Sequence, residues 1–144
     1  MRARFLAIAG VGVFAAAAAW FAFDNVTSRR HLALGKRIYA ERCAACHGVN
    51  LEGQPNWQTP LANGRLPAPP HDASGHSWHH SDAELFLITK NGMAAVVADY
   101  ESDMPAFEGV LTDAEIEAAR SFIKSAWPAR EREYQEARSR ADQR

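Results

Sequence analysis

The hydrophobic pattern opens on one long apolar run. Phe5 to Phe23 is nineteen residues without a charge, set between Arg2 and Arg4 on one side and Asp24 on the other. That length is enough for a helix to cross a bilayer. Residues 24–30 are polar and read as a linker. Leu34 and Ile38 lie four apart and Tyr39 extends their stripe, which predicts a helix ending near Cys43. No helical period is sustained from Gly48 to His80. Glycine and proline punctuate Gly53 to Pro70, and Pro67-Ala68-Pro69-Pro70 cannot continue a helix. Ser81 or Asp82 caps the next predicted helix, with Glu84 at capping-box spacing from Ser81. Leu85, Phe86, Ile88 and Thr89 form its apolar side, and Asn91-Gly92 stops it. After a loop, Thr112 and Glu115 open a last clear helix. Its apolar positions Ile116, Ala119, Phe122, Ile123 and Trp127 recur at threes and fours up to Pro128. The tail 128–144 is almost wholly polar. It reads as a solvated, frayed helix, or as a docking segment for a partner subunit.

The N-terminal run has two readings. A cleaved secretory signal would have this basic start, an apolar middle and an Ala-x-Ala site such as Ala17–Ala19. An uncleaved anchor is favoured by Trp20, Phe21 and Phe23, which prolong the apolar run and suit an interfacial belt. Both export the remainder, either anchored on the periplasmic side of the cytoplasmic membrane or soluble in the periplasm after cleavage. The chain therefore divides into residues 1–23 (anchor or signal), 24–30 (linker), 31–127 (the folded domain) and 128–144 (charged tail).

Charge narrows the partners. The chain has 16 basic and 17 acidic residues and a net charge of −1. Two of the basic residues precede the apolar run, so the exported part is mildly acidic. That is no footprint for nucleic acid. It suits steering toward a basic patch on a protein partner.

The candidate chemistry centres on Cys43-Ala44-Ala45-Cys46-His47, which holds both cysteines of the chain. The spacing lets two thiols reach the two vinyl groups of one porphyrin, and the adjacent histidine supplies an iron ligand. A thiol redox pair would sit near a βαβ pattern, which is absent. A structural zinc site needs further ligands at matching spacing. A plain disulfide leaves His47 without a reason. The motif thus indicates one covalent haem c, on which the long loop 48–80 packs in place of secondary structure.

Four histidines, His71, His76, His79 and His80, crowd into ten residues. Imidazole suits copper or zinc, and His76-x-x-His79-His80 is a candidate second metal site. The alternative is a loop whose histidines face solvent or bond haem propionates and backbone. Trp57, Arg65 and Trp78 are candidate propionate contacts, because each joins a donor to an apolar body.

The run Gly35-x-x-x-Tyr39-x-x-x-Cys43-x-x-Cys46-His47, then Met104-Pro105 in a loop, then Leu111-Thr112-x-x-Glu115-Ile116 with Phe122-Ile123, resembles the class I c-type cytochromes over residues 31–127. The resemblance implies an all-α cytochrome c fold: three to four helices and long loops around one haem. It implies that Gly35 and Tyr39 pack against the face of Ala119, Phe122 and Ile123. It also implies that Met104 is the second axial ligand, with Met93 the other methionine in range. A histidine–methionine pair raises the potential of haem iron and fills both axial positions. The expected function is electron transfer rather than catalysis, alone or as a subunit of a larger oxidoreductase. Partners would be a respiratory complex, a terminal oxidase or an exported dehydrogenase. Two alternatives are a haem enzyme or gas sensor with a labile sixth ligand, and copper handling by the His71–His80 loop.

Overall fold

The computed structural model describes residues 2–144 in backbone and residues 20–144 in side chains. Among the described residues five helices occur: α1 (Arg2–Arg42), α2 (Ala44–His47), α3 (Asp82–Asn91), α4 (Asp113–Ser125) and α5 (Ala129–Asp142). Short 3₁₀ turns lie at Ser77–His79 and Met93–Ala95. Among the described residues there is no strand, as the all-α expectation requires.

The chain forms two compact units, residues 1–31 and 32–144. The first is helical throughout its described part, and this includes residues 24–30, read from sequence as a linker. Among residues 20–144, whose side chains are described, no helix is long and apolar enough to cross a membrane. The anchor or signal expected at 1–23 falls, up to residue 19, outside the residues whose side chains are described. Its described end, Trp20, Phe21 and Phe23, is exposed. Beyond that end α1 carries Asp24, Arg29 and Arg30, and charges at this density end any apolar span.

The second unit is built on a helix crossing. Gly35 on α1 meets α4 so closely that a Cβ there would stand 2.0 Å from the Ala118 carbonyl oxygen and 3.0 Å from the Phe122 Cβ. One turn on, Tyr39 is buried and its ring lies 5.4 Å from that of Phe122. Ile38, Phe107, Leu111, Ile116 and Ala119 form the main apolar cluster, and Leu34, Phe86 and Met104 pack on its edge.

The helix boundaries follow from local chemistry. Ser81 caps α3, its hydroxyl accepting from Glu84 N at 3.1 Å while Ser81 N donates to the Glu84 carboxylate at 2.8 Å. Thr112 and Glu115 repeat the arrangement at α4. Gly92, at φ +85°, ends α3 and its N–H donates to Ile88 O.

Loop 48–80 is stitched by its own backbone. Gly53 N donates to His47 O, Gln54 N to Ala68 O, and His71 N to Leu51 O, at 2.8–2.9 Å. Gly75 permits a further close approach, since a Cβ there would stand 1.9 Å from Pro70 O.

The tail is not a frayed helix. α5 lies against α3 and the 3₁₀ turn at Ser77–His79. Its inner face is polar: Glu131, Gln135 and Ser139 are buried at four-residue spacing. Charge periodicity alone concealed this, because the buried stripe contains no apolar residue. Asp82 is where that face is tied down. Its carboxylate accepts from Lys124 and Gln135, both at 2.8 Å, and its backbone N–H donates to Ser139 Oγ at 2.9 Å. Ser81 Oγ donates to Asp142 at 2.6 Å.

Burial works against the charge on Asp82, but the Lys124 and Gln135 hydrogen bonds and the Arg120 charge hold its carboxyl below the usual range. A folded-state value below the unfolded one gives stability that is present above about pH 4 and lost as the pH falls through the folded value. Asp82→Asn is therefore expected to lower the urea midpoint at pH 7, with the gap to wild type closing at pH 3. An equal gap at both values would show that the carboxylate charge is not what holds the tail.

Candidate haem site

The residues singled out by the Cys-x-x-Cys-His spacing come together at one cavity of about 650 Å³. That volume lies within the roughly 300–1,000 Å³ of cofactor pockets. Cys43, Cys46 and His47 stand on its wall, together with Met93 and Met104. Its apolar lining includes Leu85, Ile88, Phe107, Ile116 and Ile123.

Local folding presents the motif. Cys43 ends the run from α1, and α2 is the single turn that carries Cys46 and His47 onto the wall. Tyr39 fixes that turn from below: its hydroxyl lies 2.9 Å from Gly48 O and 3.2 Å from His47 O. Cys43 is half-buried and Cys46 exposed. Burial, then the neighbouring Cys46, pushes the Cys43 thiol up to about 11.

The His47 ring is held in one orientation. Its Nδ1 lies 2.8 Å from Pro69 O. A carbonyl only accepts, so Nδ1 carries the proton and Nε2 keeps a lone pair that could bind a metal. Burial lowers the His47 pKa, partly offset by the Pro69 bond, which favours the neutral ligating form. The His71 ring stacks on that of His47 at 4.0 Å. His71 is itself fixed by Ser77 Oγ on Nδ1 at 2.8 Å and by Trp127 Nε1 on its carbonyl at 2.7 Å. Burial, then the His47 and His76 charges, sets its pKa well below the usual histidine range. Pro69, His71 and Trp127 were missed as partners of the motif. Only their long-range pairing reveals them, and no local signal carries it.

The remaining candidates separate. Trp57 lines the cavity, its ring stacked at 5.2 Å on His76. Arg65 does not line it; its guanidinium is paired with Asp103 and with Glu101. Trp78 lies outside the lining too, against His79 and Tyr134. Of the three histidines expected at a second metal site, two stay together and one turns away. His76 and His80 line the cavity with rings 5.5 Å apart, and His80 Nδ1 lies 3.7 Å from Glu84. His79 turns instead to Trp78 and Tyr134. Among the described residues no three histidine, cysteine or acidic side chains are placed to hold a metal ion together.

The donor set fits a covalent haem. Two thiols, an oriented neutral imidazole and a thioether share one largely apolar cavity. Such surroundings hold a large apolar ring and limit the access of water to its iron.

Comparison with known proteins agrees. The family model described as Cytochrome c matches residues 32–127. Cytochrome c6 of a Synechocystis strain is 30% identical over 106 residues, covering 72% of each chain. The cbb3-type cytochrome c oxidase subunit FixP of a Bradyrhizobium strain is 33% identical over 95 residues, 65% of this chain. The cbb3-type cytochrome c oxidase subunit CcoP of Azospirillum brasilense is 34% identical over 90 residues, 62% of this chain. The chain spans only about a quarter of each oxidase subunit, 27% and 26%. No solved structure gives a significant match.

Proposed function

The chain belongs to the cytochrome c family, and on that premise we propose that it carries electrons between protein partners on the exported side of the membrane, using His47 and Met104 as axial ligands. Covalent haem c supplies an iron that cycles between two oxidation states. The protein's part is to hold that iron still. Cys43 and Cys46 would hold the ring, and His47, oriented by Pro69, would supply an iron ligand. Met104 offers a neutral thioether that favours the reduced state. Ile38, Phe107 and Ile116 pack the core behind it, so little rearranges when the charge changes.

The observation that carries this reading is the presence of an oriented His47 imidazole and the Met104 thioether on the walls of one apolar cavity. Partner choice is drawn from two relatives named as cbb3-type oxidase subunits, which makes a terminal oxidase the partner we propose. Export is common to both interpretations of the N-terminal run.

An optical spectrum with intact mass tests the reading. The mass should exceed that of the polypeptide by one haem, and the oxidised protein should be low-spin with the weak far-red band of methionine on ferric iron. A high-spin spectrum, with rapid carbon monoxide binding after reduction, would replace the carrier with a ligand-binding haem protein. Cys43→Ser and Cys46→Ser should each sharply reduce the yield of covalently haem-stained protein. A wild-type yield from either would mean that its thiol is dispensable for attachment.

A further inference from the structure

We propose that Arg65 is a positioning residue for Met104, clamping the strap that presents the thioether; the proposal rests on the reading of Met104 as an axial ligand. Two stretches from distant parts of the chain meet at the cavity. Leu61 and Leu66 line it from one, and Tyr100, Asp103 and Met104 from the other.

The strap is poorly tied. Among the described residues, 101–106 makes no backbone–backbone hydrogen bond. The nearest such bonds are Tyr100 N to Val97 O at 3.3 Å on one side and Phe107 N to Thr89 O at 3.1 Å on the other. Met104 N donates to Ser102 Oγ at 3.1 Å, a bond within the strap itself. Arg65 supplies the lateral tie. Its guanidinium donates to Asp103, next to the ligand, and reaches Glu101 at 3.4 Å.

The turn that holds Arg65 is well ordered by its own bonds. Leu61 N donates to Arg65 O at 2.9 Å and Arg65 N to Asn63 Oδ1 at 3.0 Å. One cation thus binds two carboxylates that flank Ser102. Without it, Glu101 and Asp103 repel each other on a strap that, among the described residues, has no other long-range hydrogen bond. An exposed ion pair adds little to global stability. Its effect falls on a local equilibrium, the fraction of time the thioether is in place. An incoming ligand reads that fraction directly, because its apparent affinity scales with the open population.

Imidazole titration of the ferric, full-length holoprotein tests this, with the far-red methionine band followed in parallel. Arg65→Gln should bind imidazole about fivefold more tightly, as expected for the loss of a small surface ion-pair network. Asp103→Asn should shift it the same way, and the double variant should go little beyond the larger single effect. Arg65→Lys should restore part of the wild-type value. Melting temperatures should barely move. In the wild type, added salt should raise imidazole affinity, and this arm holds even if a variant fails to fold.

Equal imidazole affinity in wild type and Arg65→Gln, with the far-red band intact, would overturn the clamp alone. So would an Arg65→Gln effect of undiminished size in the Asp103→Asn background, since Arg65 would then act elsewhere. A wild-type protein with no methionine band would remove the ligand reading and the clamp with it.

Discussion

Met104→Ala is expected to open the sixth position and lower the reduction potential by on the order of 0.2 V, within the ~0.8 V range that axial ligands span. Both effects follow from one loss. The thioether stabilises the reduced state, and nothing else on its strap offers a soft donor. Carbon monoxide should then bind the reduced variant rapidly. The comparison that matters is Met93→Ala, because both methionines line the cavity. Met93 begins a 3₁₀ turn directly after α3, whereas Met104 precedes Pro105 in an irregular strap. Proline stiffens the backbone around Met104, and Met104 also packs on the core cluster. Met93→Ala should therefore keep the far-red band and the closed site. The assignment moves to Met93 if that variant loses the band while Met104→Ala retains it.

Gly35→Ala should lower stability by about 1–3 kcal/mol, the usual range for overpacking. Helix propensity alone argues the other way, since alanine in a helix interior is worth up to about 1 kcal/mol over glycine. Space decides the sign. The new methyl would stand 2.0 Å from the Ala118 carbonyl oxygen, a backbone atom that cannot rotate away. α1 must therefore lift from α4, and buried Ile38 and Tyr39 loosen with it. For a domain of this size, at roughly 4 °C per kcal/mol, that is a fall in melting temperature of about 4–12 °C. Lys36→Ala, exposed on the next residue, should change little. A Gly35→Ala holoprotein that melts at or above the wild type would mean that this crossing is not tight.

The parts of the fold legible in advance were those with local or periodic signatures. Ser81–Glu84 and Thr112–Glu115 mark helix starts because a cap is a four-residue interaction. Gly92 marks a stop because its positive φ suits glycine. Cys43, Cys46 and His47 are legible because attachment chemistry dictates the spacing. The close approach of Gly35 to α4 was expected from the family resemblance and is present in the geometry. What escaped the sequence depends on distant pairing. Pro69 orients His47 through a carbonyl, which any residue type could offer. Arg65 reads equally well as a propionate contact and as a carboxylate clamp, and only the position of Asp103 separates the two. The histidine cluster looked like a metal site because spacing along a chain does not say which way each ring turns. Trp78 and Tyr134 take the His79 ring away, while His76 and His80 stay in edge contact beside Trp57 and Glu84.

The polar inner face of α5 has a consequence for how this protein fails. A helix that buries an apolar stripe becomes adhesive when it peels away, because the stripe seeks any other oily surface. Release of α5 uncovers Gln135, Ser139 and the Asp82 carboxylate, groups that water solvates readily, and with them the face of Trp78 that Tyr134 covers. Peeling of the tail is therefore expected to be reversible and to leave the chain dispersed. Heat or mild denaturant should detach this segment before the rest without seeding aggregates.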